Sequence, residues 1–133
     1  MKITESKGSN PNWRCALKRW RGNVALNREL DAVADYTARL GDLLMGFKPT
    51  VKFFDNKSVR AVATYGSKTI SFNLAHLGHR WFNLTDNRLA IDDLIIHEFG
   101  HEYAANHLSE AYNDALSSLA ARAMQLGRLG KLP

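Results

Sequence analysis

Two histidines four residues apart enclose a glutamate in the run Ile95-Ile96-His97-Glu98-Phe99-Gly100-His101, within an apolar, helix-compatible stretch that begins near Leu89. On a helix, residues four apart stand one above the other, so His97 and His101 share a face and can share one metal ion. Glu98, about 100° further round, can reach a water at such an ion and act as its base. Of the five histidines in the chain, three fall between positions 97 and 107, and this concentration favours a metal site over a buried helix that merely carries two histidines.

A tetrahedral catalytic zinc takes three protein ligands and keeps one position open. Three downstream residues qualify as the third ligand: His107, Glu110 and Asp114. His107 follows Ala104-Ala105-Asn106, a stretch that can end the helix, since asparagine tolerates the left-handed conformation of a helix stop. Glu110 and Asp114 form a Glu-x-x-x-Asp pair on the next helix, an arrangement in which one carboxylate ligates and a second acid supports it. Imidazole suits zinc and the short loop suits a turn, so His107 is favoured, with Glu110 the alternative.

The elements that must position these groups follow from periodicity. Asn23 is an expected N-cap for a helix whose apolar residues Leu26, Leu30, Val33, Leu40 and Leu44 recur at three-, four- and seven-residue steps. It should stop at Gly46, ahead of Pro49, with Gly41 its weak point, and should back a sheet. Residues 50–54 read as a first strand, closed by the turn formers of 55–58. Residues 59–65 read as a second strand, with Gly66-Ser67 as a two-residue hairpin turn into a third, 68–74. In that third strand Ile70, Phe72 and Leu74 should face the core, and Thr69, Ser71 and Asn73 should point outward. A hairpin here can be plain scaffold, or its exposed edge can pair with an extended peptide and lay the scissile bond across the metal.

The loop that follows carries His76, His79, Arg80 and Trp81, expected at the rim of the site rather than on the metal. Thr85 or Asp86 should cap the active-site helix, which carries Asp92 and Asp93 in its early turns and is buried by Ile91, Leu94, Ile95 and Phe99. Gly100, between the two histidines, costs about 1 kcal/mol against alanine inside a helix, so another element should pack very close to it. Ser109 should cap a last helix with Tyr112, Leu116, Leu119, Ala120 and Ala123 inward, ending at Gly127.

At 133 residues the chain fits one domain, here read as 23–127, with a flexible basic lead-in (1–22) and a basic tail (128–133). A hydrophobic fraction of 45% and a charged fraction of 23% exclude a disordered or fibrous class. The lone Cys15 excludes an internal disulfide and agrees with a reducing compartment; with no signal-like leader and no membrane-length apolar run, a cytoplasmic location is expected. The net charge of +5 is uneven: Arg14, Lys18, Arg19 and Arg21 cluster with Trp13 and Trp20. Basic plus aromatic is a nucleic-acid footprint, although a solvated basic segment with docked tryptophans is the favoured reading. The oligomeric state has no signature here.

On these residues the chain resembles the zincin metallopeptidases, and the run His97, Glu98, His101, Asn106, His107 looks like that of the small SprT-like zincins. The resemblance covers residues 66–121; joined to the elements read from periodicity, it gives a zincin-like α+β fold: an N-terminal helix, a small antiparallel or mixed sheet of about three strands, the active-site helix and a C-terminal helix. It implies zinc (Zn²⁺) on His97, His101 and His107, Glu98 as catalytic base, and the strand around 69–74 as the edge strand. The spacing also fits the metzincins, but Ala104 stands where they carry glycine, and Met124 falls in a predicted helix. Residues 81–121 are also similar to the C-terminal part of longer bacterial and phage proteins that begin with a histidine-kinase-like ATPase domain.

Two functions are thus in contention. The first is a zinc-dependent endopeptidase acting on a protein or peptide, with Glu98 as general base and Tyr112 or Tyr103 donating to the oxyanion, although a helix tyrosine also serves as core. The second is a zinc-stabilised module, catalytically silent, that binds protein or nucleic acid. Glu98 separates them, because a purely structural site has no use for it. A metal-dependent hydrolase of a non-peptide bond is a weaker third.

Overall fold

The computed structural model describes residues 4–6 and 24–133; the cluster of Trp13, Arg14, Cys15, Lys18, Arg19, Trp20 and Arg21, and the Asn23 cap, lie outside the described residues. Helix α1, Val24–Met45, buries the stripe Leu26, Leu30, Val33, Leu40 and Leu44 foreseen from its spacing. Gly46, at a φ of +85°, ends it in the left-handed conformation that glycine adopts without strain. Gly41 is a point of close approach: a Cβ there would overlap the Pro49 ring, which folds back against the helix.

Among the described residues four strands make one mixed sheet: β1 (Thr4–Ser6), β2 (Thr50–Phe54), β3 (Ala63–Gly66) and β4 (Thr69–Asn73), in the order β1-β2-β4-β3. Strand β1 falls in the stretch read as a lead-in and pairs antiparallel with β2. Strand β2 runs parallel to β4, and β4 pairs antiparallel with β3. This order corrects the expectation that residues 69–74 form the edge: β4 is interior, and among the described residues the edge on its side of the sheet is β3. Because β4 is covered on both faces, Ser71 and Asn73 are buried, not outward.

Asn73 accounts for a second correction. Its side chain is 0% exposed and works as a substitute backbone for the chain ahead of β3. The Nδ2 amide donates to the carbonyls of Asn56 (2.9 Å), Val59 (3.2 Å) and Ala61 (3.2 Å), while Oδ1 accepts from the amides of Asn56 (3.2 Å) and Ala75 (3.1 Å). Residues 56–61 therefore wrap round this amide, and the strand expected from Val59 begins at Ala63. The hairpin turn also moves by one residue. Ser67 and Lys68 are its central pair, with φ of 49° and 57°, and Gly66 pairs with Thr69. Two positive φ values match the twist of a two-residue hairpin. Lys68 is held there by its ammonium over the Phe47 ring at 4.3 Å and its carbonyl on the Thr50 amide at 2.9 Å.

After the short helix α2, Leu74–Leu77, and a 3₁₀ turn, Arg80–Phe82, helix α3 spans Arg88–Phe99. Its cap is neither Thr85 nor Asp86. The Asn83 carboxamide oxygen accepts from both of their amides, at 3.0 and 3.1 Å, and the helix starts after Asn87. Ile91, Ile95 and Phe99 enter the core beside Phe53, Phe72 and Phe82 of the sheet side. The Tyr36 hydroxyl donates to Asp92, joining α1 to α3. The last helix, α4, spans Glu110–Arg128 with the foreseen Ser109 cap, its Oγ accepting from the Tyr112 amide at 3.1 Å. Its inner stripe is Tyr112, Ala115 and Leu119; Ala120, expected inward, is exposed. The helix runs past Gly127 and stops at Gly130 (φ +67°), where Lys131 N–H returns to the Leu126 carbonyl and Gly130 N–H to that of Gly127. That pair of bonds uses carbonyls the helix end leaves free. The fold is α+β, and among the described residues no helix is long and apolar enough to cross a membrane.

Candidate metal centre

His97 occupies the last turn of α3, and His101 the 3₁₀ turn Gly100–Glu102 that continues it. The tightening starts at Gly100, whose carbonyl accepts from the amides of Tyr103 (3.1 Å) and Ala104 (3.2 Å). The chain then turns back through Asn106, though not by a left-handed φ, which among the described non-glycine residues only Ser67 and Lys68 adopt. Instead the Asn106 side chain accepts from Leu108 N–H (2.9 Å) and its carbonyl from the Ser109 hydroxyl (2.7 Å). This local ring of bonds presents His107 to the other two histidines.

The rings of His97 and His107 are stacked at 4.7 Å, and the His101 ring stands edge-on to His107 at 4.3 Å. One nitrogen from each of the three lies within 4.8 Å of the others, close enough to hold a metal ion. The Ala104 carbonyl, which can only accept, lies 3.1 Å from His101 Nδ1, so Nδ1 carries the proton and Nε2 the lone pair. That is the tautomer a metal needs, fixed by a backbone group. His101 Nε2 lies 2.6 Å from His107 Nε2.

Glu98 is 6% exposed, with Oε2 3.8 Å from His97 Nε2, and burial pushes its carboxyl up to about 7. Burial, and then the charges of His107 and His101, lower the pKa of His97. Tyr112, 3% exposed, lies beside all three rings, 5.0 Å from those of His101 and His107, and its hydroxyl donates to the His97 carbonyl at 2.7 Å. Its hydroxyl is thus engaged by the backbone of the first histidine. Burial and the nearby Glu98 charge raise its pKa.

Gly100 makes this packing possible, in agreement with the close approach expected from sequence. A Cβ there would lie 2.7 Å from Tyr112 Cε1 and 3.0 Å from Leu116 Cδ2. Gly100→Ala is expected to destabilise the fold by about 1–2 kcal/mol, the overpacking outweighing the gain in helix propensity. Thermal unfolding checks this; an unchanged or higher midpoint would show that Tyr112 yields freely.

The histidines face a cleft of about 510 Å³ whose opposite wall is residues 61–65, including edge strand β3. Tyr65 closes one end, its hydroxyl donating to Glu102 Oε1 at 2.8 Å and its ring edge-on to Phe99. Burial and the Glu102 carboxylate raise its pKa. Sequence reasoning passed over Tyr65, whose place at the end of an alternating strand gave no sign of a partner 37 positions away.

The other expected site residues lie elsewhere. Glu110 and Asp114 are exposed on α4, outside the donor cluster, and Asp114 and Tyr103 line a separate cleft with Leu44 and Arg122. The rim role expected of the loop is overturned as well. His79, Arg80 and Trp81 line a cleft against Leu26 and Glu29 of α1, and His76 Nε2 donates to the Val59 carbonyl at 2.6 Å. In comparisons with protein-family profiles, curated proteins and solved structures, nothing matches the chain.

Proposed function

We propose that the chain is a zinc-dependent endopeptidase with a zincin-like site of the SprT kind. The observation that carries this reading is the convergence of three imidazoles beside a buried glutamate, on a cleft walled by a strand edge. The donor set fits zinc. Bonds of about 2.0–2.1 Å place two ligand atoms no more than about 4.2 Å apart on one ion, so small side-chain rotations bring the three nitrogens into range. His97, His101 and His107 would hold the ion; bound there, zinc supplies Lewis acidity toward a carbonyl and lowers the pKa of water.

The chain's own residues do the rest. Glu98 takes the proton from the attacking water and hands it to the departing amine nitrogen. Ala104 and Tyr112 orient the imidazoles, one through a ring nitrogen and the other through the His97 carbonyl. The Val62 carbonyl accepts from Asn73 N–H, so by the alternation of an antiparallel pair the backbone groups of Ala63 and Tyr65 turn to the outer edge, where an extended peptide can pair. The lone cysteine fits a reducing, cytoplasmic setting.

Metal content after reconstitution with zinc tests the centre. Wild type and Glu110→Ala are expected to retain one ion per chain, and His107→Ala to lose affinity by about 10²-fold or more. Undiminished zinc in His107→Ala, or none in the wild type, would overturn the site.

A further inference from the structure

Resting on the peptidase reading, we infer that the histidine cleft takes an extended peptide with an uncharged, apolar side chain next to the scissile bond. The walls carry the argument. Apart from the ionisable groups, Ala61, Val62, Ala63, Thr64, Leu94 and Ala105 line it, all uncharged and all but Thr64 apolar, and among the described residues no lysine, arginine or aspartate lines the cleft. Its ionisable groups are the three histidines, Glu98 and the Tyr65 phenol, whose hydroxyl is engaged by Glu102.

A charged substrate side chain laid along this lining loses water and meets no opposite charge other than Glu98 and the metal, both engaged at the scissile bond, so its desolvation is left largely uncompensated. An apolar side chain instead removes surface of its own and of the wall from water; Val62, 40% exposed, is the wall residue with most to lose. The wall is preformed, because the Asn73 amide grips the Ala61 carbonyl and the Asn73 backbone N–H holds the carbonyl of Val62. Successive peptide side chains point to opposite faces of a strand, so of the two residues flanking the bond one turns to this apolar lining and its neighbour points away from it. A polyanion such as nucleic acid finds no lysine or arginine here among the described residues. The cleft therefore selects by apolarity, not by charge.

The test combines cleavage with binding. Zinc-loaded wild type and Glu98→Gln are incubated with a proteome-derived peptide library, and the new termini are read by mass spectrometry. In parallel, fluorescein-labelled decapeptides with alanine and valine, aspartate, or lysine at the two central positions are titrated by anisotropy into zinc-loaded Glu98→Gln. Cleavage that depends on Glu98, with Ala, Val, Leu, Ile and Met enriched beside the bond, is expected, as is binding of the apolar decapeptide about tenfold tighter than that of either charged one. Val62→Asp should erase that preference and admit lysine. Glu98-dependent cleavage beside charged residues would overturn the inference while leaving the peptidase standing. Apolar-selective binding without cleavage of any peptide would support the cleft's preference and overturn the catalytic reading. Neither selective binding nor cleavage would overturn both.

Discussion

Glu98→Gln is expected to bind zinc as tightly as the wild type, to unfold at the wild-type temperature, and to lose peptide hydrolysis by about 10²- to 10⁴-fold. Glutamine has the shape of glutamate, so the buried position beside His97 stays filled. It cannot accept a proton and return it, which is the whole of the role assigned to Glu98. The variant therefore separates chemistry from architecture. Zinc content, the thermal midpoint and turnover of a quenched-fluorescence peptide mixture should be measured on one preparation. Equal turnover would move the base to another group. Loss of zinc together with turnover would make the carboxylate a ligand. Zinc bound with no turnover even in the wild type would favour a zinc-stabilised binding module.

The second large effect lies away from the metal. Asn73→Ala is expected to cost about 3–5 kcal/mol, lowering the thermal midpoint by about 10 °C or more, because it removes five hydrogen bonds at once from a buried position. Three carbonyls and two amides lose a hydrogen bond, although the Val59 carbonyl keeps His76 and that of Asn56 keeps the Val59 amide, and the segment 56–61 loses the group it wraps around. Asn73→Asp keeps acceptors for the Asn56 and Ala75 amides but turns a carboxylate oxygen toward the three carbonyls, so it should be at least as damaging. Chemical denaturation of both variants decides the point. A change below about 1 kcal/mol in Asn73→Ala would show that the segment holds itself in place.

Asn73 also marks the boundary of what one-dimensional patterns reveal. In an alternating strand it reads as outward, because period-two reasoning sorts residues into apolar and polar faces. That rule fails when a strand is interior and a side-chain amide takes over backbone pairing. The same shortfall misplaced the edge strand, since the parallel pairing of β2 with β4 leaves no local signature. Ser67 and Lys68 carry a turn that favours glycine or asparagine, held by Phe47 and Thr50 from outside the hairpin. By contrast, the stripe of α1, strand β2, the Ser109 cap and the close contact at Gly100 were legible, because each is decided by residues a few positions apart. The same holds for the approach of His107 to His97 and His101. The loop histidines went astray for the opposite reason: proximity in sequence to the motif said nothing of the side of the fold on which they emerge.

The three imidazoles are contributed by positions 97–107, whereas the wall opposite them comes from residues 61–65. Closing so short a chelate loop demands little chain entropy, so the unfolded polypeptide can itself compete for the ion. Zinc would then raise the melting temperature by less than its affinity for the native chain implies. A partly opened molecule would keep its metal after the cleft had come apart, parting metal retention from substrate recognition.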